Sequence, residues 1–273
     1  MRVLHIGNTA GVGSVIAKWQ KKIFKTHVFL ITRKQLDKFN VTTFGLALPL
    51  DKYTYTLLAI ILSMGYDVVH IHDFDKLVRI LKKIPFLRKK IVILHYHGTR
   101  IRGKWRERKK YWKYADKVIV STPDLLENAP KKAIYLPNPI DIELFKPDNK
   151  KKHKNFAIYV YAHYKGEKLD WPKKIAKRRN LKLYIHDRKT KPIHHREFPK
   201  LLNLFEYLID RNYIPSLSKT ALEALACGLK VIRWDGKLVI KLPRIYHPET
   251  VVKKLYYIYL TPSHGFTVLG KDI

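Results

Sequence analysis

The stretch Ser216-Leu-Ser-Lys-Thr-Ala-Leu-Glu223-Ala-Leu-Ala-Cys-Gly228-Leu-Lys-Val-Ile232 carries the most chemistry per residue in the chain. A polar turn, Ser216 to Thr220, runs into a short helix that Gly228 stops, and an apolar strand, Lys230 to Ile232, follows. The first N–H groups of a helix have no partner within it, and the helix dipole favours anions there, so Ser218, Lys219 and Thr220 can hold a diphosphate. Glu223 sits about one turn further in, among Leu222, Ala224 and Leu225, where a carboxylate needs polar partners such as ribose hydroxyls. The plainer alternative is a buried helix–turn–strand capped by Ser218, with Glu223 at its surface.

Other residues of reactive type stand where strand-like runs end. Gly11 and Gly13 follow the strand Arg2–Ile6 and lack the Cβ that would keep a phosphate or sugar away; a plain strand-to-helix turn also uses such glycines. His72 and Asp73 follow one strand, and His97, just before Gly98, follows another. Lys165 and Lys168 come after the run Phe156–Ala162, where fixed cations can meet an anion; the alternative is two surface lysines in a chain full of them. The 13 histidines show no close metal-ligand spacing, and adjacent His194 and His195 would face opposite sides of a strand, so no metal is expected.

The elements that must position these groups alternate. Strands are expected at Arg2–Ile6, His27–Ile31, Asp67–Ile71, Lys90–His95, Lys117–Ser121 and Ala133–Leu136, with a buried helix at Leu57–Met64 and a basic helix from about Lys104 to Tyr114. Pro137 to Lys154 holds three prolines and a lysine cluster and reads as a linker. A second series follows: strands at Phe156–Ala162 and Leu181–Ile185, helices at Pro199–Ile209 and Pro248–Leu260, and the stretch from Ser216. The expected fold is α/β, with two doubly wound Rossmann-like domains facing across a cleft and ligands beyond the C-terminal strand ends. Residues 1–147 would form the first domain, and residues 148–273 the second, with the last segment packing back on the first.

Composition bounds the rest. The chain has 273 residues, 46% hydrophobic, with a formal net charge of +33 and a single cysteine, Cys227, which excludes an internal disulfide or a thiolate metal cluster. Strand-like residues begin at Arg2 and the longest apolar run is too short to span a bilayer, so the expectation is a cytoplasmic protein, peripheral on the membrane if bound to it. Such charge attracts polyanions: nucleic acid, anionic lipid or phosphorylated ligands. Trp105 and Trp112 are seven residues apart and share one helix face among Arg102, Arg106, Lys109, Lys110 and Lys113. Arg102–Lys113 is therefore a candidate contact for an anionic membrane surface; the alternative packs both tryptophans on the sheet and leaves the cations in water.

Several segments, taken in order, resemble the retaining nucleotide-sugar glycosyltransferases of family four, which have the GT-B fold. They are the N-terminal strand with its Gly-rich loop, Asp67-Val-Val-His-Ile-His72-Asp73, Leu94-His-Tyr-His97-Gly98, Ala115-Asp-Lys-Val-Ile-Val-Ser121, Leu136-Pro-Asn-Pro-Ile-Asp141 with Phe145-Lys-Pro147, and Leu222-Glu-Ala-Leu-Ala-Cys-Gly228. The resemblance implies a metal-independent hexosyltransferase that takes a nucleotide-diphosphate sugar as donor and needs no cofactor. It places Glu223 on the ribose, Lys168 on the diphosphate, His97 beside the transferred sugar, and His72 with Asp73 on the acceptor side. Two departures stand out. Pro215 occupies the place of a sugar-positioning glutamate, for which Ser216, Ser218 or Lys219 would substitute. His163 occupies the place of an arginine, with Lys165 to supply its charge. Two other readings remain: a nucleic-acid-binding α/β protein, carried by the charge and interleaved aromatics, and a degenerate glycosyltransferase that binds donor without turnover.

Overall fold

A computed structural model describes residues 1–37, 39–148, 153–164 and 166–261. In chain order the strands are β1 Arg2–Ile6, β2 His27–Arg33, β3 Leu46–Leu48, β4 Val68–His72, β5 Ile91–Tyr96, β6 Lys117–Val120, β7 Ala133–Tyr135, β8 His153–Tyr161, β9 Lys182–Asp187, β10 Phe205–Ile209, β11 Lys230–Ile232 and β12 Leu238–Val239. The helices are α1 Val12–Phe24, α2 Lys52–Met64, α3 Asp75–Lys83, α4 Trp105–Trp112, α5 Asp170–Arg178, α6 Phe198–Leu202, α7 Lys219–Ala226 and α8 Pro248–Leu260. Two units form: residues 1–37, 42–138 and 249–261, and residues 39–41 with the described residues from 139 to 248.

The first unit is built on a seven-stranded sheet in the order β3-β2-β1-β4-β5-β6-β7, parallel throughout. The order reverses between β1 and β4, which places a switch point at the loops after Ile6 and His72. Alternation divides the strand residues between two faces. Leu4, Ile6, Val69, Ile71, Val92, Leu94 and Tyr96 share one buried cluster with Tyr55, Leu77 and Trp105. On the opposite face, the register sets His5 against His70 and His72 against His95. Gln20 of α1 and Tyr259 of α8 reach that face.

The second unit has a five-stranded sheet in the order β12-β11-β10-β8-β9, with only β12 antiparallel. Its switch point lies between β8 and β10. The run expected as one helix over Pro199–Ile209 is instead a single turn of helix, α6, followed by the central strand β10. Leu and Ile fit either period, and Asn203, whose amide caps the carbonyl of Pro199, ends the helix before Phe205. Within the expected linker, Ile140 and Phe145 are buried in the core of this unit, with Phe198, Leu222 and Val231.

Two expectations on the first unit change. The helix over Leu57–Met64 belongs to α2 and buries one side only: Tyr55, Ala59 and Ser63 face the sheet, while Leu57, Ile61 and Met64 are exposed. In α4 the tryptophans point inward. Trp105 is buried and its Nε1–H donates to Leu125 O, and Trp112 Nε1–H donates to Trp105 O. The rings pack edge-on at 6.2 Å, and Tyr96 meets Trp105 at 5.7 Å. Both indole donors are satisfied within the chain, and α4 turns outward Arg106, Glu107, Lys109 and Lys110 instead of its tryptophans, so the tryptophan-led membrane contact at Arg102–Lys113 is corrected.

Candidate functional site

In the second unit the functional groups gather at the C-terminal ends of β8, β10 and β9. Asp210, directly after β10, is buried, and its carboxylate accepts from Arg211 N–H at 2.9 Å and Ser218 N–H at 2.9 Å. Burial pushes the Asp210 carboxyl up from its usual range, against the pull of Arg211 and Ser218. Asp210 thereby pins the loop that delivers α7. Ser218 caps the helix, its Oγ accepting from Ala221 N–H at 3.0 Å. Lys219 and Thr220 are the first residues of α7, half-buried at the switch point.

Glu223 lies one turn along, 2% exposed. Lys219 Nζ is 3.3 Å from its Oε1 and His195 Nε2 is 3.7 Å away, yet Oε1 has no aligned hydrogen-bond donor. Burial raises the Glu223 carboxyl, opposed by Lys219 and Arg188. His195 is pushed down to about 2 by burial and by the same two cations, so it stays neutral and meets Glu223 as a dipole, not as a countercharge.

Arg188, on no sequence pattern, is the residue that reading the chain missed. It follows β9, its N–H donates to Tyr161 O at 3.0 Å, and its Nη2 lies 3.4 Å from Thr220 Oγ1. Its guanidinium rests over Phe39 at 5.5 Å and Phe198 at 5.3 Å, which fixes it at the start of α7. A cation directly after a strand of a parallel sheet was the available signal. Pro215 is exposed, and beside it the buried Oγ of Ser216 has no hydrogen-bond partner.

The loop after β8 is organised by Glu167, which accepts from Tyr159 O–H, Ala162 N–H and Tyr164 N–H at 2.8, 3.1 and 3.0 Å. His163 is exposed in the left-handed region and is held by Asp187 at 2.7 Å, which keeps the Asp187 carboxyl low. Lys168 is exposed one residue before the cap of α5. Lys165 lies outside the described residues.

In the first unit the switch-point loop is ordered by Asn8, whose Oδ1 accepts from Ser14 N–H and whose Nδ2 donates to Ser14 Oγ, both at 2.9 Å. Gly11 caps α1 at φ +76°. A Cβ on Gly13 would meet the Gly7 carbonyl oxygen at 2.9 Å and Leu30 at 3.0 Å, so that glycine serves close packing of helix on strand.

The sheet register assembles what sequence spacing concealed. His5, His70, His72, His95 and His97 form linked imidazoles: His5 Nδ1 to His72 Nε2 at 3.1 Å, His72 Nδ1 to His97 Nε2 at 2.9 Å, and His70 Nε2 to His95 Nδ1 at 3.2 Å. Gln20 Oε1 faces His5 Nε2 at 2.7 Å, so His5 carries its proton there and accepts from His72, which accepts from His97. Nδ1 of His97 faces Asn138 Oδ1 at 3.4 Å. Gln20 Nε2 donates to Tyr259, Tyr259 to His70, and His70 to His95, whose Nε2 alone ends without a partner. Burial, then the neighbouring rings, hold His70, His72 and His95 well below 6.5, and burial, opposed by the hydrogen bond to Gln20, holds His5 at about 4. His5, His70 and His72, and likewise His72, His95 and His97, lie close enough to share a metal ion, a grouping that no spacing in the sequence shows. His72 is buried, and Asp73 accepts from His97 N–H at 3.1 Å.

No family model matches the chain, and no curated protein matches its sequence. Among solved structures, the catalytic domain of starch synthase IV from Arabidopsis thaliana bound to ADP and acarbose is similar over 96% of this chain and 92% of that one, with TM-score 0.59 and 11% identity. Sucrose-phosphate synthase from Thermosynechococcus elongatus is similar over 85% and 81%, with TM-score 0.51 and 13% identity. The UDP-GlcNAc 2-epimerase from Methanocaldococcus jannaschii is similar over 95% and 99%, with TM-score 0.50 and 13% identity. At these identities the likeness is one of fold, and that fold is GT-B, two Rossmann-like domains in one chain.

Proposed function

We propose that the chain is a glycosyltransferase that moves a hexosyl group from a nucleotide-diphosphate sugar to an acceptor hydroxyl, with retention of configuration. The observation that carries this reading is Glu223: a buried carboxylate one turn into α7, at the switch point, whose Oε1 has no aligned donor. Two ribose hydroxyls supply such donors. The N–H groups of Lys219 and Thr220, the Arg188 guanidinium and the Lys168 ammonium then meet the diphosphate. Charge grows on its oxygens as the glycosidic bond breaks, so these fixed positive groups bind the transition state more tightly than the ground state. They do the work that a metal ion does elsewhere, and no cofactor is proposed. The donor's own phosphate oxygen takes the acceptor proton on the retained face, so no protein nucleophile is required. His97 is assigned to a hydroxyl of the transferred sugar, and Asp73 to the acceptor side.

A second reading, donor binding without turnover, is favoured by Pro215 standing exposed where a sugar-positioning carboxylate is expected. A panel of UDP-, GDP- and ADP-sugars separates the two. Thermal stabilisation with release of nucleoside diphosphate supports transfer; stabilisation without release supports binding alone. Change in the sugar with the nucleotide still attached would assign epimerisation, the activity in the name of the Methanocaldococcus jannaschii neighbour. No response to any donor, together with salt-sensitive binding of RNA or DNA, would replace both readings by nucleic-acid binding.

A further inference from the structure

Helix α2 turns an uncharged apolar stripe outward. With Tyr55, Ala59 and Ser63 buried, the opposite side presents Tyr53, Leu57, Ile61 and Met64 at 82%, 58%, 52% and 51% exposure. Their spacing of four, four and three makes one continuous face. No charged residue occurs between Lys52 and Asp67, in a chain of which 28% is charged. A helix face meant for water would be expected to carry some of that charge, so its absence over the whole stripe points to a non-aqueous neighbour. The 3-10 turn Pro85–Leu87 packs against α2 and adds Phe86, 60% exposed. Lys83, Arg88 and Lys89 are exposed on either side of Phe86 in the chain, and Lys90 Nζ donates to Met64 O at the last turn of α2 at 3.0 Å.

We propose that α2 and Phe86 dock the chain on an anionic lipid bilayer. The apolar stripe enters the boundary between headgroups and acyl chains, and the neighbouring cations meet lipid phosphates. Charge selects this occupant over a second copy of the chain, because two surfaces of a +33 protein repel. The apolar stripe selects it over nucleic acid, which offers phosphates but no acyl layer. Among the described residues no helix is long and apolar enough to cross a membrane, so the contact is interfacial. The proposal stands apart from the reading of Glu223 and from α4, whose tryptophans face inward.

The test is co-sedimentation with vesicles of phosphatidylcholine alone and with about one-third phosphatidylglycerol. The chain is expected to bind the second kind, and Leu57→Ser with Ile61→Ser to lower partitioning by about tenfold or more. Lys83→Glu with Arg88→Glu and Lys89→Glu is expected to abolish the preference for anionic lipid. The serine positions are exposed, so an unchanged thermal midpoint will show that the fold is kept. Three results would overturn the proposal: no binding to anionic vesicles, full binding by the serine variant, or a dimer in sedimentation velocity that the serine variant dissolves.

Discussion

The phenol of Tyr259 donates a 2.7 Å hydrogen bond to Nδ1 of His70, joining residues 189 positions apart. The same oxygen accepts from Gln20 Nε2 at 3.1 Å, so one side chain of the last helix completes a buried polar network on the sheet. Tyr259→Phe removes the hydroxyl and leaves two buried groups unpaired. The expected loss is about 1–3 kcal/mol per orphaned group, read as a lower urea midpoint at unchanged slope. An unchanged midpoint would mean that α8 does not seal that face.

The histidine face sets a pH dependence with a definite sign. His5, His70, His72 and His95 are held below 6.5 by burial, so the folded chain binds fewer protons there than the unfolded one. The stability they protect is present above pH 6.5 and is lost as pH falls from that value towards the folded pKa values. Each contributes a slope of about 1.4 kcal/mol per pH unit in that window, and four together about 5. The thermal midpoint is expected to be level with respect to these groups above about pH 7 and to fall steeply below about pH 6. A flat profile down to pH 5 would show that these rings are already charged or solvated in the folded state.

Glu223 gives the opposite sign. Burial raises its carboxyl, so ionising it costs the folded state stability as pH rises past the usual carboxylate range. Glu223→Gln keeps the shape and removes that cost. Its thermal midpoint is expected to match or exceed that of the parent chain, while affinity for the preferred nucleoside diphosphate falls about tenfold, the worth of a hydrogen bond to a charged acceptor. Calorimetric titration measures it, and equal affinity would remove Glu223 from the site.

Particular residues show how far the sequence was legible. The short strands around Leu4, Val69 and Ile93 read correctly because apolar runs bounded by polar turns have few other uses, and Ser218 announced the start of α7 by its type. The strand β10 was hidden because Leu201 to Ile209 suits a buried helix and a buried strand alike, and only packing chooses between them. The spacing of Trp105 and Trp112 fixed that they share a face but not which way that face turns. The histidine network was invisible because proximity between positions 5, 70, 72, 95 and 97 is created by strand order and register, which no local pattern encodes.

Arg188 provides the sharpest test of the diphosphate assignment. Its guanidinium lies over Phe39 and Phe198 and points Nη2 at Thr220 on the first turn of α7. Lysine in its place keeps the charge but loses the planar fork and the stacking that aims it, so Arg188→Lys is not a neutral exchange. A group that contacts phosphate should matter for the diphosphate and not for the bare nucleoside. Arg188→Lys is therefore expected to weaken binding of the nucleoside diphosphate by about tenfold and Arg188→Gln by more, each with little change for the nucleoside, because charge-assisted hydrogen bonds are the stronger ones. Competition titrations with both ligands read the ratio. A loss shared equally between nucleoside and diphosphate would show that Arg188 only packs the loop after β9, and the positive charge at the start of α7 would then rest on Lys219 and the helix end alone.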